Sequence, residues 1–365
     1  MKLECSIEKL KNAVTQADKI TGRNLTLPIL NSILLIASGK SLKIRATNLS
    51  LGIEVEIPAK IEKEGISAIK GDVLNNLLSS INQGQNITIE LENDNLLLKT
   101  KNNNVLIKSY PHEDFPTIPI VAGSSFNIPA KKFIEGIKSV YYSSSISDIK
   151  PEISSVYIYQ DDDQLIFVAT DSFRLAEKRI KMKQIDDFGS ILIPFKNVTE
   201  ILRVFNDYND DLKVCFNKNQ ISLSSDNIYL TSRIIDGIFP DYKQIIPKEK
   251  KTEVVVLKQD LINALKISNI FSDKFNQIII SINPKGKIFQ INSKNTDVGE
   301  NKTNLEASLE GEEIEVNLNF KYLLDCFQSI NQDSVILQFN TPNKPLVVKG
   351  VSENTFTYLV MPMNR

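Results

Sequence analysis

The chain has 365 residues, 42% of them hydrophobic, and its 43 Lys and Arg nearly balance its 44 Asp and Glu. This length favours two or three domains with sizeable cores, and a net charge of −1 argues against binding polyanions by bulk attraction. No apolar run approaches the roughly 20 residues of a membrane span, and no signal-type region opens the chain, so we predict a cytoplasmic protein. The three cysteines are scattered singly, which argues against disulfides and zinc.

Amphipathic helical patterns occur, in chain order, at residues 6–20, 70–82, 130–141, 195–205, 257–271 and 319–330. Between them the hydrophobicity alternates with a period of two, as at 53–57 and 86–91, which predicts half-buried antiparallel strands. Clusters of Asn and Asp at 93–95, 102–104 and 161–163 are typical of hairpin turns. At 161–163 we favour a hairpin tip over a metal site, and no metal or cofactor is expected.

One helical pattern recurs at intervals of about 125 residues, which is the length of a domain and too long for a solenoid repeat. Its copies are Leu10-x-x-Ala13-Val14, Phe133-x-x-Gly136-Ile137 and Leu261-x-x-Ala264-Leu265. A second helical pattern, beginning near 73, 198 and 323, and a proline at 116, 240 and 362 keep the same period. We therefore predict an α+β protein of three similar domains at 1–121, 122–247 and 248–365, each with two helices packed on antiparallel sheet.

The charge is distributed unevenly between helices and the rest. The six predicted helices carry twelve Lys or Arg and seven Asp or Glu, a net charge of +5, which leaves −6 on strands and loops. Solvated helix faces are one explanation, because Lys is a common helix residue. The other is a helix face that meets an anionic partner.

The sequence contains few candidate catalytic residues. The single histidine, His112, lies in a proline-flanked stretch, and neither a Ser/His/Asp nor a Cys/His arrangement is evident. The phosphate-binding patterns GxxxxGK[ST] and GxGxxG are also missing from the sequence. We predict a non-catalytic protein.

A ring would give the basic helices a function. If three modules place their helices on one concave side, two chains supply twelve helices. At about 10 Å each, these would surround an opening of roughly 35 to 40 Å, wide enough for a hydrated duplex. A weakly positive lumen would hold the phosphate backbone without reading bases.

The chain resembles the bacterial sliding clamp family, the β subunits of DNA polymerase III, over essentially its whole length. The matching motifs are TLPIL at 26–30, DFP at 114–116, ATDSFRL at 169–175, DGIFPDY at 236–242, NFKYLLD at 319–325 and YLVMPM at 358–363. The resemblance implies the DNA-clamp fold, with each chain forming half of a head-to-tail homodimeric ring. It also implies a processivity factor that slides on duplex DNA, is loaded by a clamp loader and tethers replicative and repair polymerases.

The resemblance further implies a pocket between domains 2 and 3 for a partner peptide that contains Gln and apolar residues. Its implied lining is Ile153, Thr170, Ser172, Phe173, Arg174, Leu175, Pro240, Ile245, Phe275, Asn319, Tyr322, Val360, Met361, Pro362 and Met363. Apolar walls suit leucine or aromatic anchors, and we expect Arg174, Thr170 and Asn319 to satisfy the polar groups of the peptide.

Two other surfaces follow from the same resemblance. For duplex contacts Arg23, Lys150 and Lys196 match basic family positions, and the helix charge adds Lys9, Lys131, Lys138, Arg203 and Lys266. The closing interface is expected where Val105, Leu106 and Ile107 of one subunit meet the helix around Ile267 of another.

Two alternatives remain at this point. One is a peptide-binding scaffold that never encircles DNA. The other is a hydrolase or nuclease with a metal site assembled across domains, for which the sequence lacks the usual residues.

Overall fold

The computed structural model describes residues 1–22, 26–81, 86–183 and 188–363. The chain forms two compact units, Met1–Ile134 with Lys196–Asp236, and Glu135–Phe195 with Gly237–Arg365. Each is described by itself below. No helix in the described part of the chain is long and apolar enough to span a membrane.

Six α-helices lie in the described ranges, one at each predicted place, which confirms the helix predictions. They are α1 Ile7–Asp18, α2 Gly71–Ser80, α3 Ala130–Val140, α4 Phe195–Phe205, α5 Lys258–Ile270 and α6 Phe320–Cys326. The last is shorter than predicted because Phe327–Ser329 tightens into a 3₁₀ turn.

The strands occupy the stretches of alternating hydrophobicity between these helices. Those of the first third are β1 Lys2–Ser6, β2 Ser32–Ser38, β3 Ser41–Thr47, β4 Leu51–Pro58, β5 Lys60–Lys63, β6 Gly65–Lys70, β7 Asn86–Glu92, β8 Asn95–Lys99, β9 Asn104–Ile107 and β10 Ser109–Tyr110. The middle third adds β11 Ser124–Pro129, β12 Ser155–Asp161, β13 Gln164–Thr170, β14 Arg174–Lys181, β15 Ser190–Pro194, β16 Asp211–Phe216, β17 Gln220–Ser225 and β18 Ile228–Arg233. The last third adds β19 Thr252–Leu257, β20 Gln277–Asn283, β21 Ile288–Asn295, β22 Gly299–Asn304, β23 Ala307–Gly311, β24 Ile314–Asn319, β25 Ser334–Phe339, β26 Leu346–Gly350 and β27 Phe356–Val360.

The first unit contains a five-stranded sheet in the order β5-β1-β7-β8-β9 and a nine-stranded sheet in the order β10-β6-β2-β3-β4-β18-β17-β16-β11, counting described residues. The nine-stranded sheet joins the first repeat to the second, because β4 pairs with β18 at Ile53 and Leu230. Helices α1 and α2 pack together, and Thr15 Oγ1 donates a 2.9 Å hydrogen bond to Asn75 Oδ1. Leu10, Ala13 and Val14 on α1 are buried.

The second unit repeats this plan in its described part. Its nine-stranded sheet has the order β15-β12-β13-β14-β27-β26-β25-β19-β23, and its four-stranded sheet the order β22-β21-β20-β24. Strand β14 of the second repeat pairs with β27 of the third. The middle repeat thus contributes strands to both units, a sharing of sheets that the sequence did not predict. The three domain ranges stay a prediction.

The predicted turns at 93–95 and 161–163 are hairpin tips between paired strands. Asn93, Asp94 and Asp162 have φ values of 47°, 60° and 53°, the left-handed conformation that Asn and Asp tolerate best. The three cysteines are free thiols, and burial raises the pKa of Cys5 to about 12.

The net charge of the helices is smaller than predicted. They carry ten Lys or Arg and seven Asp or Glu, a net charge of +3, because Lys19 and Lys70 lie at the cap positions just outside α1 and α2. The helices still carry a net positive charge, and the rest of the chain carries a net negative charge.

Gly136 allows α3 to approach β13 closely. A Cβ at this position would lie 2.4 Å from the fully buried ring of Phe167. We expect Gly136→Ala to lower the free energy of unfolding by about 1–2 kcal/mol, because overpacking outweighs the better helix propensity of Ala. Chemical denaturation measures this. The control is Gly189→Ala, where a Cβ meets nothing within 4 Å, and equal stability of the two variants would contradict the prediction.

Candidate functional site

A tight corner joins β13 to β14 and shapes one wall of the candidate site. Thr170 Oγ1 donates a 2.7 Å hydrogen bond to the carbonyl of Arg174, and Asp171 Oδ1 accepts from the backbone N–H groups of Phe173 and Arg174 at 2.9 and 3.0 Å. Ser172 adopts φ 78° between them. Such side-chain to backbone bonds are how Thr and Asp stabilise turns. The corner presents the ring of Phe173, which is 60% exposed.

Arg174 connects this corner to α6. Its Nε donates to Asp171 Oδ2 at 2.9 Å and its Nη1 to Asp325 Oδ2, while Cζ lies 4.7 Å from the centroid of the Tyr322 ring. Burial by itself lowers the pKa of Arg174, but the hydrogen bond to Asp325 and the attraction of Asp171 raise it above its ordinary value. The guanidinium is therefore charged and fixed.

The C-terminal segment forms the second wall of the candidate site. Val360 pairs with Arg174 at the end of β27, and the backbone N–H of Met361 donates to the carbonyl of Phe173 at 2.8 Å. Two residues later, Met363 donates to the carbonyl of Asn317 on β24, also at 2.8 Å. The intervening Pro362 has no N–H to continue the pairing. The described end of the chain thus runs from the Phe173 corner to β24.

The start of α6 forms the third wall. Asn319 caps the helix, since its Oδ1 accepts from the N–H of Lys321 at 3.0 Å, and its Nδ2 donates to the carbonyl of Phe275 at 3.3 Å. The hydroxyl of the buried Tyr358 donates to the carbonyl of Tyr322 at 2.8 Å. These bonds hold Asn319 and Tyr322 in place, and the Phe275 side chain is exposed.

The segment with Pro240 and Ile245 is held by two buried aromatic residues. The ring of Phe239 stacks on Tyr157 with 4.7 Å between centroids. The hydroxyl of Tyr242 donates to Glu177 and lies 2.7 Å from that of Tyr159, and burial raises the pKa of Tyr242. Ile245 is left exposed at the end of the 3₁₀ turn Tyr242–Ile245.

Hydrogen bonds and ring contacts among the described residues thus bring part of the predicted pocket together. The connected residues are Thr170, Ser172, Phe173, Arg174, Tyr322, Val360 and Met361, with Asn319 joined to Phe275 and Met363 to β24. Leu175 is buried in β14 opposite Leu359. Membership of a peptide pocket stays a prediction for all of these residues, and for Ile153, Pro240, Ile245 and Pro362 of the same unit.

The polar residues predicted for the pocket already have partners inside the protein, and their contacts with a peptide stay a prediction. Arg174, Thr170 and Asn319 all make hydrogen bonds inside the protein, and the Arg174 side chain is only 10% exposed. These bonds fix the positions of the three side chains. Sequence reasoning also missed Asp171, Asp325 and Asn317, which hold Arg174 and the C-terminal segment; the two acids lie inside the ATDSFRL and NFKYLLD motifs.

The predicted DNA-binding residues lie on exposed helix faces or loops where they are described. In the first unit these are Lys9 on α1, Lys131 on α3, and Lys196 and Arg203 on α4; Lys19 Nζ donates to the carbonyl of Arg203 at 2.9 Å, so α1 ends beside α4. In the second unit they are Lys138 on α3, Lys150 in a loop and Lys266 on α5. Arg23 lies outside the described residues.

The predicted dimer residues lie on one edge strand, β9, and on α5, a helix beside another edge strand. Strand β9 is the last strand of its sheet, and on it Leu106 is 58% exposed while Ile107 is buried and does not face outward. In the second unit Ile267 and Ile270 are exposed on α5. Asn301 Nδ2, on the edge strand β22, lies 3.2 Å from Ser268 Oγ of α5, which places this helix beside that edge.

Three family models match the chain in succession. They describe the DNA polymerase III beta subunit, with the N-terminal domain at residues 1–119, the central domain at 127–241 and the C-terminal domain at 243–364.

The chain belongs to the DNA polymerase III β-subunit family. The beta sliding clamp of Synechococcus elongatus is 26% identical over 372 residues, covering 100% of this chain and 99% of the relative. That of Bacillus subtilis is 22% identical over 376 residues with the same coverage. The solved β subunit from Thermotoga maritima has a TM-score of 0.94 at 25% identity, covering 100% of this chain and 99% of that one.

Membership of this family makes the chain a non-catalytic processivity factor of DNA polymerase. Its three-domain α+β fold is that of the sliding clamps. The hydrolase alternative therefore falls away.

Proposed function

We propose that two copies of this chain close head to tail into a ring around duplex DNA, slide on it, and tether polymerases and other proteins through the pocket at the Phe173 corner. The observation that carries the proposal is the end-to-end match, with three β-subunit domains in order over residues 1–364. All three domains of the family are thus represented in this chain.

Ring closure is supported by two strand edges. In the sheets formed by the described residues, β9 pairs with β8 and β22 with β21, and each leaves one edge unpaired. Pairing β9 of one subunit with β22 of the other would satisfy these backbone groups, and Leu106 would pack near Ile267 and Ile270. A head-to-tail ring of two subunits contains two such junctions.

Sequence-independent DNA binding is supported by the exposed Lys on the helices. A net charge of +3 on six helices gives weak attraction to phosphates, and phosphate contacts carry no sequence information. Closure of the ring would keep the protein on the DNA, and the weak contacts with phosphates would allow it to slide. We further propose that a clamp loader places the ring on DNA and that the protein acts in the cytoplasm without a cofactor.

Partner binding is supported by the chemistry of the pocket. Phe173 and Phe275 are exposed, Met361 is partly exposed, and Arg174 is held between Asp171 and Asp325. A short peptide with leucine or aromatic anchors suits such a site. The solved clamp of Pseudomonas aeruginosa bound to griselimycin, with a TM-score of 0.95 to this chain, shows that a relative of this fold takes a ligand.

A loading reaction tests the proposal. The chain is incubated with a clamp loader, ATP and nicked circular DNA, and the DNA is then separated by gel filtration in high salt. We expect the chain to remain with the circle, since salt does not break a topological link. Elution with the free protein would instead support a scaffold that never encircles DNA.

The helix lysines are tested in the same reaction at increasing salt. We expect the combined variant Lys9→Ala, Lys131→Ala and Lys266→Ala to load less well. The slope of the logarithm of its DNA affinity against the logarithm of salt concentration should fall in magnitude by about one for each lost phosphate contact. The matched control changes three exposed lysines at hairpins, Lys218, Lys285 and Lys344. Equal loading of the two variants would contradict the assignment of DNA contacts to the helices.

A further inference from the structure

The corner between β3 and β4, residues 47–51 of the first unit, has the same hydrogen bonds as the Phe173 corner, and we call it the Leu49 corner. Thr47 Oγ1 donates to the carbonyl of residue 51 at 2.7 Å, and Asn48 Oδ1 accepts from the N–H groups of residues 50 and 51 at 3.0 and 2.8 Å. The equivalent Thr and Asp bonds of the Phe173 corner measure 2.7, 2.9 and 3.0 Å. The central residues have φ values of 73° and 78°.

A strand of the second repeat closes the Leu49 corner as β27 closes the Phe173 corner. Ser232 of β18 pairs with Leu51, and the N–H of Arg233 donates to the carbonyl of Ser50 at 2.8 Å. At the Phe173 corner the same two links come from the end of β27, and the second link is also 2.8 Å long. Arg233 thus takes the place of Met361. The two corners are equivalent positions of the repeat.

A cavity of about 240 Å³ opens at the Leu49 corner. The corner itself, the end of β18 and the segment with Pro116 and Pro119 line it. The hydroxyl of Tyr229 fixes this segment, because it donates to the carbonyl of Pro119 at 2.9 Å and accepts from the N–H of Val121 at 2.8 Å. The volume is below the roughly 300 Å³ at which pockets enclose a whole small molecule, so it suits one or two side chains of a peptide.

The cavity combines an exposed apolar side chain with one free cation. Leu49 lines it and is 42% exposed, in a left-handed conformation that is uncommon for leucine. Arg233 is the one charged residue of the lining. Its side chain is exposed, and its guanidinium makes no ion pair or hydrogen bond with the part of the chain that the structure describes. A guanidinium in this state suits a carboxylate, which it binds through two parallel N–H bonds.

We propose that the Leu49 corner is a second peptide site, which binds a segment with an apolar side chain next to Asp or Glu. The apolar side chain would enter the cavity beside Leu49, and the carboxylate would pair with Arg233. The inference takes its ligand class from the proposed peptide pocket at the Phe173 corner. The two sites differ in charge, because the cation at that pocket, Arg174, is already held by Asp171 and Asp325. Acidic segments would therefore prefer the Leu49 corner.

Fluorescence anisotropy with two labelled synthetic peptides tests this inference. One has the sequence Gly-Leu-Phe-Asp-Asp, the other has Asn in place of both Asp residues, and both end in an amide. We expect the acidic peptide to bind the unmodified chain roughly three- to tenfold more tightly than the neutral peptide at low salt, with a smaller difference as salt rises. Arg233→Gln should abolish this difference, and Leu49→Ser should weaken binding of the acidic peptide.

Two control variants accompany the measurement. Lys40→Gln removes one positive charge from an exposed position of the same unit that does not line the cavity, and it should keep the full difference between the peptides. Phe173→Ala should keep it as well, because this variant changes only the other corner.

Three results would overturn the inference. If Phe173→Ala abolished the difference, the acidic peptide would occupy the pocket at the Phe173 corner, and that pocket would be upheld. An equal loss in Arg233→Gln and Lys40→Gln would reduce the effect to general charge. An equal affinity of the two peptides for the unmodified chain would exclude a carboxylate site. The clamp function itself is tested separately by the loading reaction, which uses no peptide.

Discussion

Replacing Leu106 and Ile267 with Asp is expected to yield a folded monomer in place of a dimer. Both side chains are exposed in the single chain, at 58% and 44%, so the substitutions cost little in folding. In a closed ring each junction would bury both new carboxylates against apolar groups, at several kcal/mol apiece. We therefore expect the dimer affinity to fall by roughly a thousandfold or more.

Sedimentation equilibrium measures the mass, and far-ultraviolet circular dichroism confirms the fold. The control variant Ile120→Asp with Ile288→Asp places carboxylates at two other exposed isoleucines and should remain dimeric. A dimer mass for the Leu106 and Ile267 variant would refute the placement of the junction at β9 and α5.

The second large effect is expected for Arg174→Ala, which should lower peptide affinity about ten- to a hundredfold. The substitution removes the group that joins Asp171, Asp325 and the Tyr322 ring, so the pocket wall loses its fixed shape. Two carboxylates lose their partner, and we also expect about 1–3 kcal/mol less stability. Peptide titration and chemical denaturation measure the two effects.

Phe173→Ala tests peptide binding without a change in folding stability, because removing this exposed ring leaves no buried cavity. It should weaken peptide binding at unchanged stability. Lys181→Ala, at the exposed far end of β14, the strand that follows the corner, is the control and should bind normally. Normal peptide affinity in both the Arg174 and Phe173 variants would mean that partners bind elsewhere.

Local patterns predicted the elements of the fold well. Each helix places apolar residues on one face, as Leu10, Ala13 and Val14 do on α1, and this periodicity needs no knowledge of distant residues. The hairpin tips at 93–95 and 161–163 were predictable for the same reason. The threefold recurrence of such patterns was enough to predict three similar domains.

Long-range pairing was not predictable. Ile53 lies opposite Leu230 in one sheet, and nothing in either strand specifies the other as its neighbour. The same limit applied to the pocket. Arg174 was predicted as a pocket residue, but its partner Asp325 is 151 residues away, and only the folded chain shows that the guanidinium is already engaged.

The central claim is that the chain holds DNA by encircling it, and one measurement tests this most directly. The labelled chain is loaded onto a nicked circle, the circle is cut once with a restriction enzyme, and the bound chain is followed over time. We predict stable retention on the uncut circle and rapid loss after cutting, because a ring slides off free ends. Equal retention on circular and linear DNA would contradict encirclement.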